Sequence, residues 1–356
     1  MTTRPRIVIV APSLDILGGQ GVQAQALADG LRADGLSVDF LAVNPPVPRG
    51  LGWVRRHRGV RTLLNEALYV PTLRRLRRGD VVHVFSASYW SFLLAPVPAM
   101  LAARLAGAHV VLNYHSGEAE DHLGRWGALV HPWLRLAHEI VVPSTYLRDV
   151  FARHGYRTRV IPNVVSLDRF RYRERSPLRP RLVSSRNLED YYRVDTTLEA
   201  FALVATRYRE ATLTIAGYGS REASLRRLAR SLGCEGVRFV GRVEPSAMPR
   251  LYDEADVFLN ASVLDNQPVS ILEAFASGLP VVSTPTGAIA SMVRDGETGL
   301  VVPPDDPPAM AKAVLRLLED DDLAREVARR AREETEAFTW ARVRRQWADV
   351  YARPTA

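Results

Sequence analysis

The sequence predicts an α/β protein built from two doubly wound parallel-sheet domains. Short apolar runs rich in valine, isoleucine and leucine alternate with segments of helical period, the pattern of parallel strands covered on both faces. The alternation occurs in two blocks, separated by a proline- and arginine-rich stretch over 170–181. At 356 residues and 47% hydrophobic, the chain exceeds the size at which one core usually stops growing and has apolar content for two.

The first block begins with IVIVA at 7–11, whose lack of alternation suits a strand buried on both faces. A loop over 13–21, holding Gly18, Gly19 and Gly21, leads to a helix at 22–33 and a strand at 38–43. Strands follow at 81–85, 110–114, 140–142 and 160–161, with helical period between most of them. The most apolar long stretch, 91–111, is interrupted by Pro96, Pro98 and Arg104, so it reads as a buried helix and a strand rather than a bilayer span. The second block carries strands at 182–184, 211–216, 237–240, 256–260 and 280–284. Its helices are expected at 195–208, 221–232 and 247–254, with a short one before the last strand. The tail over 339–351, with Trp340 and Trp347, reads as a helix packed across the domain junction. The expected division is therefore an N-terminal domain over 1–168, completed by a C-terminal helix over 339–356, and a second domain over 169–338. Two such domains facing one another would bind ligand in a cleft at the carboxyl ends of their strands.

Arginine dominates the charge: Lys312 is the only lysine, and the formal net charge is +8. A balance of this kind suits anionic nucleotides, phospholipid surfaces or nucleic acid. The chain has no nucleic-acid-binding motif and no interleaving of aromatic with basic residues, so nucleic acid is not an expected partner. The densest basic segment, 55–78, sets eight arginines, with Arg55 and Arg78 at its ends, against Glu66 alone. Among them stand Leu63, Leu64, Leu68, Tyr69, Leu73 and Leu76. Such a surface either rests on anionic headgroups or is a solvated helix face beside a core, and both readings stand. Cys234 is the only cysteine, which excludes an intrachain disulfide and a cysteine metal cluster. With no apolar leader run before the first strand, the expected location is cytoplasmic, peripheral at the inner membrane face if the basic segment docks there.

The most informative segment is 262–283, SVLDNQPVSILEAFASGLPVVS. Pro268 is expected at the first helical position, where a missing N–H loses nothing, and Gly278 in the left-handed turn that ends the helix, with Pro280 beyond it. Unsatisfied amides and the positive end of the helix dipole make a place for a diphosphate beside Asn266, Gln267, Pro268 and Val269. Asp265 and Glu273, eight positions apart, would flank it, one accepting from a ribose and the other from hexose hydroxyls. The alternative is that Asp265 and Asn266 merely cap a core helix. No histidine and carboxylate cluster has metal-ligand spacing, so neither a metal nor any other cofactor is expected.

This carboxylate pair resembles the glutamate, seven residues, glutamate signature of the retaining glycosyltransferases of family 4, with Asp265 standing where the family has its first glutamate. Other segments carry the resemblance in the same order over nearly the whole chain. Residues 161–163, followed by Asp168, Arg169 and Phe170, are similar to the family's exit into the interdomain link. Gly217 and Gly219, in AGYGS, resemble its glycine turn, and 240–243 with Met248, Leu251, Tyr252, Ala255 and Asp256 resembles the stretch that follows. Arg186, in SRNLEDYYRVD, is similar to the family's arginine. The expected lysine falls on Tyr192 or Arg193, of which Arg193 keeps the charge; such cations would neutralise the departing diphosphate. His115, at the end of the strand over 110–114, is similar to the first-domain histidine that contacts the donor sugar. Gly18 and Gly19 are similar to the glycines near the leaving phosphate, although a surface turn is the alternative and GQGVQA is only a weak match to a dinucleotide fingerprint. Glu118 and Glu120 lie just beyond His115, either near the acceptor or in a solvated loop.

The resemblance implies the GT-B fold and transfer of a hexose, with retention and without a metal, from a nucleotide-diphosphate sugar to a glycan, lipid-linked sugar or small metabolite. His115, Arg186, Asp265 and Glu273 would be catalytic. The donor would touch Gly18, Gly19, Arg186, Arg193, Gly217, Gly219, Asn266, Gln267, Pro268, Val269 and Glu273. Two other readings stay open: a nucleotide-sugar 2-epimerase of the same architecture, and a nucleotide-sugar-binding protein without turnover.

Overall fold

The computed structural model describes residues 5–13, 18–46 and 58–352, so the middle of the glycine loop and both Arg55 and Arg56 lie outside the described residues. By internal contacts the chain forms two units, Met1–Val164 with Val343–Ala356, and Val165–Arg342. Each has its own six-stranded sheet, and every recorded strand pair is parallel.

In the first unit β1 (Ile7–Ala11) is followed by α1 (Gly19–Ala33), β2 (Val38–Ala42), α2 (Arg58–Tyr69), β3 (Val81–Ser86), α3 (Tyr89–Leu94), α4 (Pro96–Leu105) and β4 (His109–Tyr114). Then come α5 (Ala119–Arg125), α6 (Gly127–Leu134), β5 (Glu139–Val142), α7 (Thr145–Arg153) and β6 (Arg159–Val160). The strand order β2-β1-β3-β4-β5-β6 sends the chain first to one side of β1 and then to the other, so the topological switch lies between β1 and β3. All five residues of β1 and all six of β3 are buried, which accounts for their unbroken apolar character apart from His83 and Ser86. The stretch 91–111, read as one buried helix and a strand, contains two helices. Proline cannot donate within a helix and its ring crowds the preceding turn, so α3 ends and Pro96 starts α4. Nor is α4 fully buried, since Leu101 is 41% and Leu105 81% exposed.

The second unit runs β7 (Arg181–Ser185), α8 (Val194–Arg207), β8 (Thr212–Ala216), α9 (Glu222–Ser231), β9 (Val237–Gly241), α10 (Met248–Asp253), β10 (Val257–Asn260) and α11 (Val269–Ala276). It continues with β11 (Val281–Ser283), α12 (Ile289–Met292), β12 (Leu300–Val301), α13 (Pro307–Glu319) and α14 (Asp321–Glu334). Its order, β12-β11-β10-β7-β8-β9, puts the switch between β7 and β10. The strand pattern read from the sequence stops at 284; β12 has only two residues, too few to register as an apolar run. Asp306 and Asp320 start α13 and α14, their carboxylates accepting from the amides of Ala309 and Leu323. The chain ends in α15 (Trp340–Tyr351), which from Val343 onward belongs to the first unit. There the Trp347 ring lies 5.0 Å from that of His83, and the Tyr351 hydroxyl is 2.8 Å from His83 Nδ1.

Residues 170–181 are tied into the second unit. Arg175 is buried and donates to the carbonyl oxygens of Arg173, Tyr252, Ala255 and Ser277 at 2.7, 3.0, 2.8 and 2.6 Å. Arg173 and Arg179 both reach the Asp256 carboxylate. Burial by itself would raise the Asp256 pKa, but the hydrogen bonds from Arg179 and Arg173 outweigh it and hold the carboxyl below its ordinary range.

Candidate functional site

The switch between β7 and β10 places the loops after these two strands side by side. Arg186 leaves β7 directly after Ser185, and its guanidinium donates Nη1–H to Ser270 Oγ at 2.9 Å and pairs through Nη2 with the Asp265 carboxylate. Both charged side chains are nearly buried, at 8% and 12% exposure. The guanidinium carbon also lies 4.2 Å from the centre of the Tyr192 ring, a cation-π contact in a poorly solvated place. Its Nε is buried and makes no hydrogen bond among the described residues. A guanidinium fixed on three sides, with N–H groups left over on Nη1 and Nη2 as well as on the buried Nε, is preorganised for a further anionic oxygen.

The loop after β10 is pinned from below. Asn260 Nδ2 donates to Ser283 Oγ at 2.9 Å, Ser262 Oγ donates to Asn260 Oδ1 at 2.7 Å, and Thr286 Oγ1 donates to the Ser262 carbonyl at 2.7 Å. The amide of Val263 reaches the Tyr191 carbonyl at 2.9 Å, tying this loop to the one after β7. Asp265 does not cap the helix that follows: it accepts from the Asn266 amide at 2.9 Å and from Arg186. Pro268 sits one position earlier than expected, as the N-cap, because its ψ of 120° is still extended; α11 starts at Val269 with no side-chain cap over its first amides. Asn266, Gln267 and Val269 are buried around that helix start. At the other end Gly278 has φ of 73°, its amide bonds the Phe275 carbonyl, and the Leu279 amide bonds that of Ala274, the double bond of a Schellman close.

Glu273 is half-buried on α11, one turn beyond Ser270. Tyr252 donates its hydroxyl to Glu273 Oε2 at 2.9 Å, and the same hydroxyl lies 2.8 Å from Ser185 Oγ. Burial pushes the Glu273 pKa up to about 7, against smaller lowering effects of the Tyr252 hydrogen bond and Arg169. The folded state therefore holds a proton that the unfolded chain releases near its ordinary pKa of 4.5. Stability from this group is fully present below 4.5 and is lost as pH rises through 7. Glu273→Gln is expected to remove that fall, worth about 3 kcal/mol across the window, from denaturation midpoints measured between the two pH values. An unchanged pH profile would contradict the assignment.

The glycine turn after β8 braces this arrangement. A Cβ on Gly217, whose φ is 152°, would come within 2.0 Å of the Arg186 carbonyl oxygen, and one on Gly219 within 2.4 Å of that of Leu188. These glycines let two loop backbones touch, with the Leu188 amide bonded to the Tyr218 carbonyl at 3.0 Å. Gly217→Ala is expected to cost roughly 3 kcal/mol and to shift Arg186, seen as a lower melting temperature. Arg193 is turned elsewhere: at φ 48° it precedes α8, its Nε lies 2.5 Å from Asp305, and its Nη1 lies 3.9 Å from Asp195. Tyr192, rather than Arg193, therefore lies against Arg186.

In the first unit the corresponding edge gathers Gly18, Gly19 and His115. Gly18 is the extended N-cap of α1, with open space where a side chain would stand, and Gly19 starts the helix. Gln20 Nε2 donates to the Ser86 carbonyl at 2.7 Å, and the His115 amide reaches the same carbonyl at 3.1 Å. The His115 ring is 5.1 Å from that of Phe85, and burial pushes its pKa down to about 3, so the imidazole is neutral.

Tyr252 and Ser270 are the site residues to which sequence reasoning gave no role. Ser270 stands three positions before Glu273, the helical spacing that puts both on one face, so it was readable; Tyr252 comes from α10 and was not. Among the described residues no group of three or more His, Cys, Asp or Glu side chains is arranged to hold a metal ion, and no helix is long and apolar enough to cross a membrane.

Residues 17–169 match the family described as Glycosyltransferase Family 4, and residues 179–320 match that described as Glycosyl transferases group 1. The chain is 30% identical to a glycogen synthase of Mycobacterium tuberculosis over 291 residues, covering 77% of this chain and 69% of that protein. It is 28% identical to a phosphatidyl-myo-inositol mannosyltransferase of Mycobacterium leprae over 365 residues, 97% of this chain and 96% of the other. Among solved structures, HepE of Anabaena in complex with UDP and glucose superposes with a TM-score of 0.75 at 18% identity, covering 98% of this chain and 100% of that one. Sucrose-phosphate synthase of Thermosynechococcus elongatus gives 0.76 at 21% identity, with 98% of each chain covered. With two family matches spanning both blocks, a glycogen synthase likeness of this extent and two parallel six-stranded sheets, the chain belongs to the family 4 glycosyltransferases of GT-B fold.

Proposed function

We propose that the protein is a retaining, metal-independent glycosyltransferase that takes a hexose from a nucleotide-diphosphate sugar and passes it to a hydroxyl of a sugar or lipid-linked acceptor. The observation that carries this reading is the buried Arg186, fixed by Asp265, Ser270 and Tyr192 beside the uncapped start of α11, with Nε still unspent. A diphosphate there would meet a cation, helix amides and the positive end of a dipole, where negative charge grows as the glycosidic bond breaks. The glycines at 217 and 219 brace the Arg186 loop, Asn266 to Val269 form the anion's bed, and Arg193 joins only by leaving Asp305. Glu273 and Asp265 take hydroxyls of hexose and ribose. His115, neutral, contributes a hydrogen bond to the donor sugar and a polar face toward positive charge at the anomeric carbon.

In the transfer, the bond from the anomeric carbon to the β-phosphate oxygen breaks and the acceptor oxygen bonds that carbon on the same face. The acceptor's proton passes to the departing phosphate oxygen, so no protein nucleophile is needed. HepE with UDP and glucose supports a nucleotide-sugar donor, and the inositol mannosyltransferases support a sugar or lipid acceptor.

Incubation with UDP-, GDP- and ADP-hexoses in excess chelator is the test. Nucleotide release with one donor, and a product keeping the donor's anomeric configuration by NMR, is expected. An altered sugar without net release would make the protein an epimerase; neither change would make it a binding protein. In the same reading the enzyme works in the cytoplasm and rests on anionic membrane. Tyr69, Leu73 and Leu76 turn into the core, while Val60, Leu63 and Val70 are 48%, 72% and 45% exposed, and Arg61, Arg74, Arg75, Arg77 and Arg78 are exposed beside them. Co-sedimentation with phosphatidylglycerol vesicles but not with phosphatidylcholine vesicles is expected.

A further inference from the structure

The loop after β3 and the helix after β4 build an aromatic shelf at the carboxyl edge of the first unit's sheet. Tyr89 has φ of 55°, a left-handed conformation that costs energy for any residue with a Cβ. Its hydroxyl donates to Asp121 Oδ2 at 2.7 Å, and its ring meets that of Trp126 edge-on at 5.4 Å. This forced turn projects the next residue outward. Trp90 is 66% exposed, yet its ring stands perpendicular to Trp126 at 5.5 Å, so an indole is both open and oriented. Exposure of one aromatic is ordinary, but here it sits beside a left-handed non-glycine residue, a strain that clusters at ligand sites.

The charged groups along the same edge include the acids Glu118, Glu120 and Asp121, beside the neutral Ser88, His115 and Ser116. Glu118 is half-buried, and among the described residues no cation pairs with it. The nearby cations are spent, Arg125 on Asp121 and Arg153 on Glu120. Carboxylates accept hydrogen bonds from hydroxyls and repel phosphate.

Resting on the glycosyltransferase reading above, we propose that this shelf is the acceptor subsite and takes a neutral pyranose ring, its C–H face stacked on Trp90 and its hydroxyls donating to Glu118. A phosphorylated head group does not fit between these carboxylates.

Saturation-transfer NMR on the full chain tests this, with methyl α-D-mannopyranoside, methyl α-D-glucopyranoside and the two hexose 6-phosphates as probes. At least one methyl glycoside is expected to receive saturation at its ring C–H protons and to bind more tightly than its phosphate counterpart. Trp90→Ala should weaken it roughly tenfold and Trp90→Phe far less, a stacking effect. Trp90 is exposed, so a melting curve suffices to confirm that both variants fold. Binding unaffected by Trp90→Ala, phosphates bound as tightly as the glycosides, or no binding of either glycoside overturns the proposal. Quenching of Trp90 fluorescence by brominated-lipid vesicles also overturns it, assigning the shelf to a membrane. Nucleotide release by the wild type, measured in parallel, separates the two readings: release without glycoside binding sinks the shelf alone, and Trp90-dependent binding without release leaves the shelf and sinks the transferase reading.

Discussion

Arg186→Ala is expected to lower kcat by about a hundredfold or more while changing the donor Kd far less. The reason is where the charge appears: in the proposed function a diphosphate bound in the ground state would already be solvated by helix amides, whereas the charge that develops on bond cleavage would fall to the fixed guanidinium. The variant also leaves the Asp265 carboxylate, 12% exposed, without its partner, so some loss of stability accompanies the loss of rate. Arg186→Lys separates the two effects. A lysine restores charge next to Asp265 but lacks the planar fork that reaches Asp265, Ser270 and the unspent Nε direction at once. It should recover stability and little of the rate. Steady-state kinetics with the best donor, beside a melting curve, decides the matter; a kcat within a few-fold of wild type for Arg186→Ala would remove this residue from the reaction.

The second large effect concerns the fold alone. Arg175→Ala is expected to destabilise the protein by about 3 kcal/mol, because a buried guanidinium and its four hydrogen bonds to carbonyl oxygens are lost, even though the Tyr252, Ala255 and Ser277 carbonyls each keep one other donor. Those carbonyls lie on residues 173, 252, 255 and 277, so one side chain joins the stretch before β7 to the end of α10 and the end of α11. Tyr252 and Glu273 belong to those same two helices, and activity should fall with stability. Arg250 is the comparison: its ion pair with Glu254 is 2.8 Å long but the arginine is 86% exposed, and Arg250→Ala should shift stability by no more than about 0.5 kcal/mol. Urea denaturation of the two variants checks the contrast, and similar midpoints would show that the Arg175 cage does not hold the unit together.

The sequence by itself determined the architecture and which residues are candidates for the site. Unbroken apolar runs such as IVIVA belong to strands buried on both faces, and Gly278 with Pro280 marks a helix end that the structure closes with a Schellman turn. Periodicity and turn chemistry are local, so a linear reading reaches them. It does not reach β12, which holds its place through pairing with β11 rather than through its two residues, nor the break at Pro96 that splits 91–111 into two helices. The tertiary structure alone decided what each charged group does. Strand order brings β7 against β10, and so brings Arg186 onto Asp265 across 79 residues, while Arg193, equally basic, is drawn to Asp305. The raised pKa of Glu273 follows from burial, which outweighs the opposing hydrogen bond from Tyr252 on another helix. Charge and residue type are written along the chain, but desolvation and partnership are properties of three-dimensional neighbours.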